Sequence, residues 1–334
     1  MELGGNGSLK AFSLNPFARS GANKTADYKK IAMETAVTVF RYAMIIAVGY
    51  TVLSPLLQII SNSLKSDADF MNTSVTWIPT KVFWQNYKDA LFVMDYWRAL
   101  LHTLLVPVLS GLMEVASCGI AAYGFARFQF PEKKILFPLL LLTILVPVRM
   151  TFLSSFVNYR NFNFFGLTAL IGKWIGKDLT INLINTPFTF YLPSIFGIGF
   201  QSGLFVMIYI QFLKGIPKEL EEAAWIDGAG PVKTLNRIIV PSSGVAILTV
   251  SILSVIWHWN EYYLMGLYFN ENRPLAVVLS DIMNLIQLKG GSAINSHTGV
   301  AMASCMLFIL PVLIFYLILQ KKFIKSIDRV GIVG

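Results

Sequence analysis

Four stretches of this chain run on with no charged side chain at all: Tyr42 to Leu64, Leu179 to Leu213, Ile238 to Asn260 and Gly299 to Gln320. A helix needs about 20 apolar residues to cross the hydrocarbon of a bilayer, and each of these runs reaches that length. Two more stretches qualify with a blemish. Ala99 to Ala126 contains His102 and Glu114, and Ile135 to Val157 contains Arg149, yet both are otherwise apolar enough to insert. With 55% hydrophobic and 13% charged residues, the chain is too apolar for an ordinary soluble domain. The pattern predicts an all-α polytopic membrane protein with six transmembrane helices, at about 42–64, 99–126, 135–157, 187–213, 238–266 and 299–320. The fourth is placed in the second half of its run, starting near Pro187 after a polar lead-in.

Basic residues fix the orientation, because loops rich in Lys and Arg stay on the cytoplasmic side. With the N-terminus inside, Lys10, Arg19, Lys24, Lys29, Lys30 and Arg41 fall there, followed by Arg127, Lys133 and Lys134. Lys214, Lys218, Lys233 and Arg237 join them, as do Lys321, Lys322, Lys325 and Arg329, so most of the 27 basic residues are cytoplasmic. Both termini are then expected inside. The organisation predicted is a polar cytoplasmic tail over 1–36, a transmembrane domain over 37–323 with a cytoplasmic loop at 214–241, and a short cytoplasmic tail over 324–334. The formal charge of +9 needs no nucleic acid, since cytoplasmic retention and anionic lipid headgroups account for it.

Several chemistries find no support. The phosphate-cradling loop G-x-x-x-x-G-K-[ST] is missing, and the nearest run, Gly172 to Asp178, lacks both a correctly spaced first glycine and the hydroxyl residue. Three histidines and no metalloprotease or serine-hydrolase motif leave no catalytic set, so no catalytic residue, resident cofactor or metal is expected. Cys118 and Cys305 both fall in predicted spans, where a thiol behaves as a small hydrophobe and no disulfide is expected.

One segment breaks the apolar pattern with a purpose. From Glu219 to Pro241 the chain reads ELEEAAWIDGAGPVKTLNRIIVP, between two membrane runs. Pro217 suits a first helical position, and Glu219, Glu221 and Glu222 favour the positive end of the helix dipole. Leu220, Ala223, Ala224 and Asp227 recur at spacings of three and four, giving one small, partly apolar face. Gly228 and Gly230 are read as the stop, since glycine takes the left-handed cap conformation. The expectation is a helix of about three turns at the membrane surface, suited to docking in a groove of a soluble partner.

Glu222-Ala223-Ala224, three residues, Gly228, nine residues, Ile238, one residue, Val240-Pro241 resembles the EAA loop of permease subunits in bacterial binding-protein-dependent ABC importers, with valine at 240 where leucine is usual. Other landmarks resemble the carbohydrate branch, similar to the smaller permease of the maltose system. They are Asn86-Tyr87, Ala121 to Arg127 (AAYGFAR), Val146-Pro147, Gly166-Leu167, Trp259-Asn260-Glu261-Tyr262 and Gln320 to Phe323. The likeness covers residue 38 to the C-terminus. Arg149 stands where relatives often carry glutamine, and residues 159–186 form a longer outer loop than many have.

The resemblance implies a type I ABC importer permease fold in the bacterial cytoplasmic membrane. It also implies a second homologous permease, two ATPase subunits that bind ATP and magnesium, an extracytoplasmic solute-binding protein and a carbohydrate substrate. ATPase coupling would fall to Glu222, Ala223, Ala224, Asp227, Gly228 and Pro241, with Glu222 contacting a basic residue of the ATPase. For the translocation path the candidates are Arg149, Glu114, Trp259, Asn260 and Glu261. Each has a second reading: Glu114 as an interhelical hydrogen-bonding group, Arg149 as a snorkelling cation, the Trp259 region as an interface anchor. A permease of the same machine type for amino acids or peptides shares the EAA helix and stands as the alternative. A secondary sugar transporter fits less well, for want of an internal duplication and paired intramembrane ion sites.

Overall fold

The computed structural model describes residues 20–146, 150–164, 166–176, 180–290 and 297–331. The chain forms two units, Met1–Gln58 and Ile59–Gly334. The described part of the first is helix: α1 spans Ser20–Ser63, through Pro55, and ends inside the second unit. It begins well before the apolar run, inside the segment expected to be a tail. Its apolar residues stand exposed, Ile46 at 70% and Val52 at 69%. So much exposed apolar surface on one helix suits lipid or a membrane partner, not water.

In the second unit, the residues after α1 fold back on its last turn. Asn86 donates to the carbonyls of Ser63 and Lys65, both at 2.9 Å, and the Tyr87 hydroxyl meets that of Ser63 at 2.8 Å. The Asn86-Tyr87 landmark therefore closes the helix end, supplying partners to carbonyls that a helix C-terminus leaves free. Nearby, the Thr80 hydroxyl and the Ser66 capping box hold the Asp69 carboxyl below the ordinary carboxylate range.

The core of this unit is built from α2 (Tyr96–Arg127), α3 (Lys133–Leu145), α4 (Phe152–Arg160), α5 (Phe188–Ile195), α6 (Ser202–Lys214), α7 (Glu219–Ile226), α8 (Gly244–Asn260) and α9 (His297–Gly331). α2, α6 and α8 share one cluster, with Cys118, Ala122 and Tyr123 packed among Phe205, Tyr209 and Ile210 and against Ala246 and Val250. Small residues on α2 and α8 let the backbones approach, as membrane helices require when lipid competes equally for apolar contact. A second cluster joins Ala90 and Val93 to Trp259 of α8 and Val300 and Ala303 of α9. A third gathers Val106, Phe190, Met265 and Tyr268.

Among the described residues, three helices are long and apolar enough to cross a membrane: Ile31–Ser63, Tyr96–Arg127 and His297–Gln320. A fourth crossing is available if Pro231–Ser242 and Gly244–Asn260, bent by 78°, count as one. The other two expected spans are interrupted. Residues 187–213 do not form one helix: α5 ends at Ile195, and α6 starts at Ser202 after Gln201 with φ 66° and Gly197 with φ 67°. The expected third span is helical as α3 and again as α4, with Pro147, Val148 and Arg149 outside the described residues. At the far end, α9 runs on to Gly331, through the boundary expected for a tail.

Candidate functional site

α7 is shorter than its sequence suggests, and its ends differ from the expectation. It starts at Glu219, not Pro217, and its eight residues make about two turns, roughly 12 Å. Glu219, Glu221 and Glu222 occupy the first turn, where their charge meets the positive end of the helix dipole at a start that has no side-chain cap. The stop belongs to Gly228 alone, at φ 78°. Around it the Gly228 N–H bonds the Trp225 carbonyl at 3.0 Å and the Ala229 N–H bonds the Ala224 carbonyl at 2.9 Å, the two bonds of a Schellman motif. Gly230 does something else. With extended backbone it caps the next helix, Pro231–Thr234, whose first residue is proline.

Two faces of α7 separate cleanly. Glu221 and Ala224, three residues apart, are buried at 3% and 6%. Leu220, Glu222, Ala223, Trp225, Ile226 and Asp227 are exposed. The inward face is fixed by an ion pair: Nε of Arg127, the last residue of α2, lies 2.5 Å from Oε1 of Glu221, with the two side chains 5% and 3% exposed. The same guanidinium donates from its other arm to the Ile216 carbonyl at 2.8 Å, in the turn between α6 and α7. One arginine thus joins the ends of two bundle helices to the root of α7. Its planar fork, permanently charged, is the side chain that can do this in a buried place.

Pro241 sits where the chain turns toward α8. Leu235–Ile239 is a π-helical turn, Pro241 follows, and the Ser243 N–H bonds the Ile239 carbonyl at 2.8 Å before the 78° bend. A proline cannot donate to the preceding turn, so the wider turn before it and the bend after it have an identifiable cause.

The path candidates lie in different surroundings. Glu114, in the middle of α2, is fully buried. The Ser202 hydroxyl of α6 donates to its Oε1, the Ser254 hydroxyl of α8 stands 3.2 Å from its Oε2, and His258 Nε2 is 3.7 Å from that same oxygen. Trp259 is buried and packs against Phe308 of α9. The Asn260 amide turns back to the Ile256 carbonyl at 2.8 Å, and the Glu261 carboxylate accepts from the Leu264 N–H at 2.9 Å. Arg149 lies outside the described residues. The structure brings Glu114 together with two serines and a histidine, which the sequence reading did not join. It also pairs Glu221 with Arg127, two residues noticed for separate reasons. A buried arginine demands an anion nearby, and that rule was the available signal.

Residues 120–329 match the family model described as binding-protein-dependent transport system inner membrane component. The trehalose transport system permease protein SugB of Mycobacterium tuberculosis is 27% identical over 289 residues, covering 86% of this chain and 95% of that one. The melibiose/raffinose/stachyose import permease protein MelC of Bacillus subtilis is 26% identical over 283 residues, covering 84% and 91%. Among solved structures, a chain of a bacterial ABC transporter involved in the import of the acidic polysaccharide alginate superposes with a TM-score of 0.70 at 20% identity, over 87% of this chain and 98% of that one. At that identity the likeness is one of fold.

Proposed function

We infer that this chain, which belongs to the family of binding-protein-dependent transport system inner membrane components, is a carbohydrate permease subunit of an ATP-driven importer. The sugar-importer permeases SugB and MelC, matched along most of their length, support the substrate class. The observation that carries the mechanism is the division of α7 within the matched region: Glu221 clamped inward by Arg127, and Glu222 and Ala223 left outward and exposed. A helix rooted in this way is a lever. An ATPase subunit gripping the outer face would move the ends of α2 and α6 with it.

In this reading the chain crosses the cytoplasmic membrane six times with both termini inside, the interrupted helices α3–α4 and α5–α6 each making one crossing. It pairs with a second permease, and each permease docks one of two ATPase subunits that carry ATP and magnesium. A solute-binding protein delivers sugar on the opposite side. The ATPases need only favour one of two bundle arrangements, since a ligand shifts an equilibrium by its differential affinity for the two states. Glu222 offers the charge-assisted contact to a basic residue of the ATPase, the exposed Ala223 the close approach, and Gly228 the exit direction, while Ala224 lies on the inward face with Glu221.

The test is purification with the chain's genomic neighbours and reconstitution in proteoliposomes. The assembled complex should import sugar with ATP hydrolysis, and Glu222→Ala should abolish uptake while leaving the chain inserted and folded. Isolation with no ATPase subunit attached, or uptake unchanged by Glu222→Ala, would remove the coupling assignment.

A further inference from the structure

The bundle interior holds a histidine that the protein leaves half satisfied. His258, in the last turn of α8, is 1% exposed, and its Nε2 has no hydrogen-bond partner among the described residues. The ring is closely held. Phe200 lies edge to it with centroids 6.1 Å apart, and a Cβ on Gly111 of α2 would stand 3.6 Å from Nδ1 and 3.1 Å from Ser254 Oγ. Across the seam between α8 and α2, Nε2 faces Glu114 Oε2 at 3.7 Å. A buried polar atom without a partner costs stability and demands a physical reason.

One proton is missing from this arrangement. Nδ1 lies 2.9 Å from the Ser254 carbonyl, which can only accept, so Nδ1 carries a hydrogen and donates it. In a neutral ring Nε2 then holds a bare lone pair. The Ser254 hydroxyl, 3.4 Å from Nδ1, has better acceptors in the Gly111 carbonyl and Glu114 Oε2, both at 3.2 Å. Were Glu114 ionised, its lone pairs would oppose that of Nε2, and the carboxylate would stand charged in a buried place. A single added proton removes both conflicts. As a carboxylic acid, Glu114 still accepts from Ser202 at Oε1 and donates from Oε2 to His258. An imidazolium facing a carboxylate uses the same proton but separates charge where desolvation penalises it.

The surroundings are uncharged among the described residues. On α2 the Cys118 thiol reaches the Ser202 carbonyl at 3.7 Å, and Tyr209 of α6 packs with Cys118. The break between α5 and α6 brings Ser194 and Phe200. α9, which meets α8 through Phe308 and Trp259, has no charged residue from Thr298 to Gln320.

We propose that Glu114 is a neutral carboxylic acid whose O–H donates to His258 Nε2, so that the bundle binds one proton at its centre and that proton fastens α8 to α2. Ionisable side chains inside membrane spans often carry protons, because a charge there is costly. With Ser202 on its other oxygen, the one protonated side chain gathers α2, α6 and α8. The consequence for transport, which alone rests on the reading of the chain as an importer subunit, is that alkaline conditions loosen the body driven by α7.

The experiment uses the full complex in proteoliposomes. The infrared difference between wild type and Glu114→Gln should contain the carbonyl stretch of a protonated carboxylic acid. His258→Gln should move or remove the same band, since the imidazole acceptor is gone. Absence of the band would mean an ionised Glu114, matched by an imidazolium or another cation, and would overturn the proposal; so would a band that His258→Gln leaves unmoved.

Melting against pH gives a second reading. Above about pH 6.5 an unfolded histidine is neutral and an unfolded glutamate is ionised, so the folded pair holds one proton more than the unfolded chain. Its stability is present at lower pH and lost as pH rises, by up to about tenfold in the folding equilibrium per pH unit. In Glu114→Gln the amide donates to Nε2 and its carbonyl accepts from Ser202 with no added proton. Wild type should therefore decline relative to this variant as pH rises, in melting temperature and in trehalose or melibiose imported per ATP. Parallel melting curves would overturn the proton site. Diverging melting with a constant import ratio would strike only its consequence for transport, and failure to import either sugar would strike the carbohydrate reading and not the proton. If Glu114→Gln misfolds, melting low at every pH, the spectrum of wild type against His258→Gln decides.

Discussion

Helix α2 meets a buried carboxylate twice, and the two places solve the same physical problem by different means. In the middle of the span, Glu114 is its own residue and is satisfied by the hydroxyls of Ser202 and Ser254 with His258 close by. At its end, Arg127 takes Glu221 of α7 as a charged partner, along with the Ile216 carbonyl. Deep in the bundle, uncharged donors from two neighbouring helices suffice, and they bind α2, α6 and α8 into one body. At the foot a permanent cation is matched to an anion on a separate short helix, and the pair acts as a joint. The bundle interior is thus expected to tolerate a neutral substitute for Glu114, whereas the joint is expected to depend on charge.

That difference is easiest to break at the foot. Glu221→Ala or Arg127→Ala leaves one buried charge alone, which typically costs about 3–5 kcal/mol. Thermal denaturation of the assembled complex should show the larger loss here, with α7 released from the bundle and uptake abolished. The exchange Arg127→Glu with Glu221→Arg restores the pair but not the Ile216 contact, and should recover part of the stability. No recovery in the exchanged chain, with equal damage from either single substitution, would mean that shape and not charge holds the joint.

The middle cluster should respond differently. Glu114→Ala removes the acceptor of two hydroxyls and leaves a void, for a cost of about 2–5 kcal/mol at most and about 1–3 from the hydrogen bonds alone. Glu114→Gln keeps the size and one carbonyl acceptor. It should cost under about 1.5 kcal/mol, the worth of one ordinary hydrogen bond. Melting curves of the two variants side by side decide the matter: if the glutamine chain is as unstable as the alanine chain, the charge of Glu114 matters and the two regions are alike after all.

How much of this could be read from the residues follows from what each signal measures. Hydropathy located α2 and α9 because both are long apolar runs carried by one continuous helix, α2 despite Glu114. It missed the break at Phe196–Gln201 because Ile195-Phe196-Gly197-Ile198-Gly199-Phe200 is apolar by side chain, while the interruption lies in the left-handed backbone of Gly197 and Gln201. The charged segment after Lys218 was expected to hold a helix, and α7 is that helix. That expectation did not reveal which glutamate faces inward. Glu221 and Glu222 are neighbours in sequence yet about 100° apart around the helix, so their fates depend on where Arg127 ends α2, a tertiary fact. Likewise Glu114 could be suspected as a costly intramembrane carboxylate, but its serine partners lie on helices far away in sequence.

The smallest expected effect on stability lies at Gly228, and it sharpens the idea of a joint. With φ at 78° and no atom within 4 Å of a Cβ placed there, substitution meets no steric obstacle, only backbone strain. Gly228→Ala should therefore cost about 1 kcal/mol, the price of a left-handed residue with a side chain. The two Schellman bonds that end α7 would weaken, and the chain leaving toward Pro231 would shift direction while the Arg127 to Glu221 pair stays in place. If α7 transmits motion as a rigid lever, uptake per ATP should fall by far more than this loss of stability implies. Measured on one preparation, a small melting shift with a large loss of coupling supports a lever whose exit angle matters; full coupling retained in Gly228→Ala would leave the anchored root as the whole of the joint.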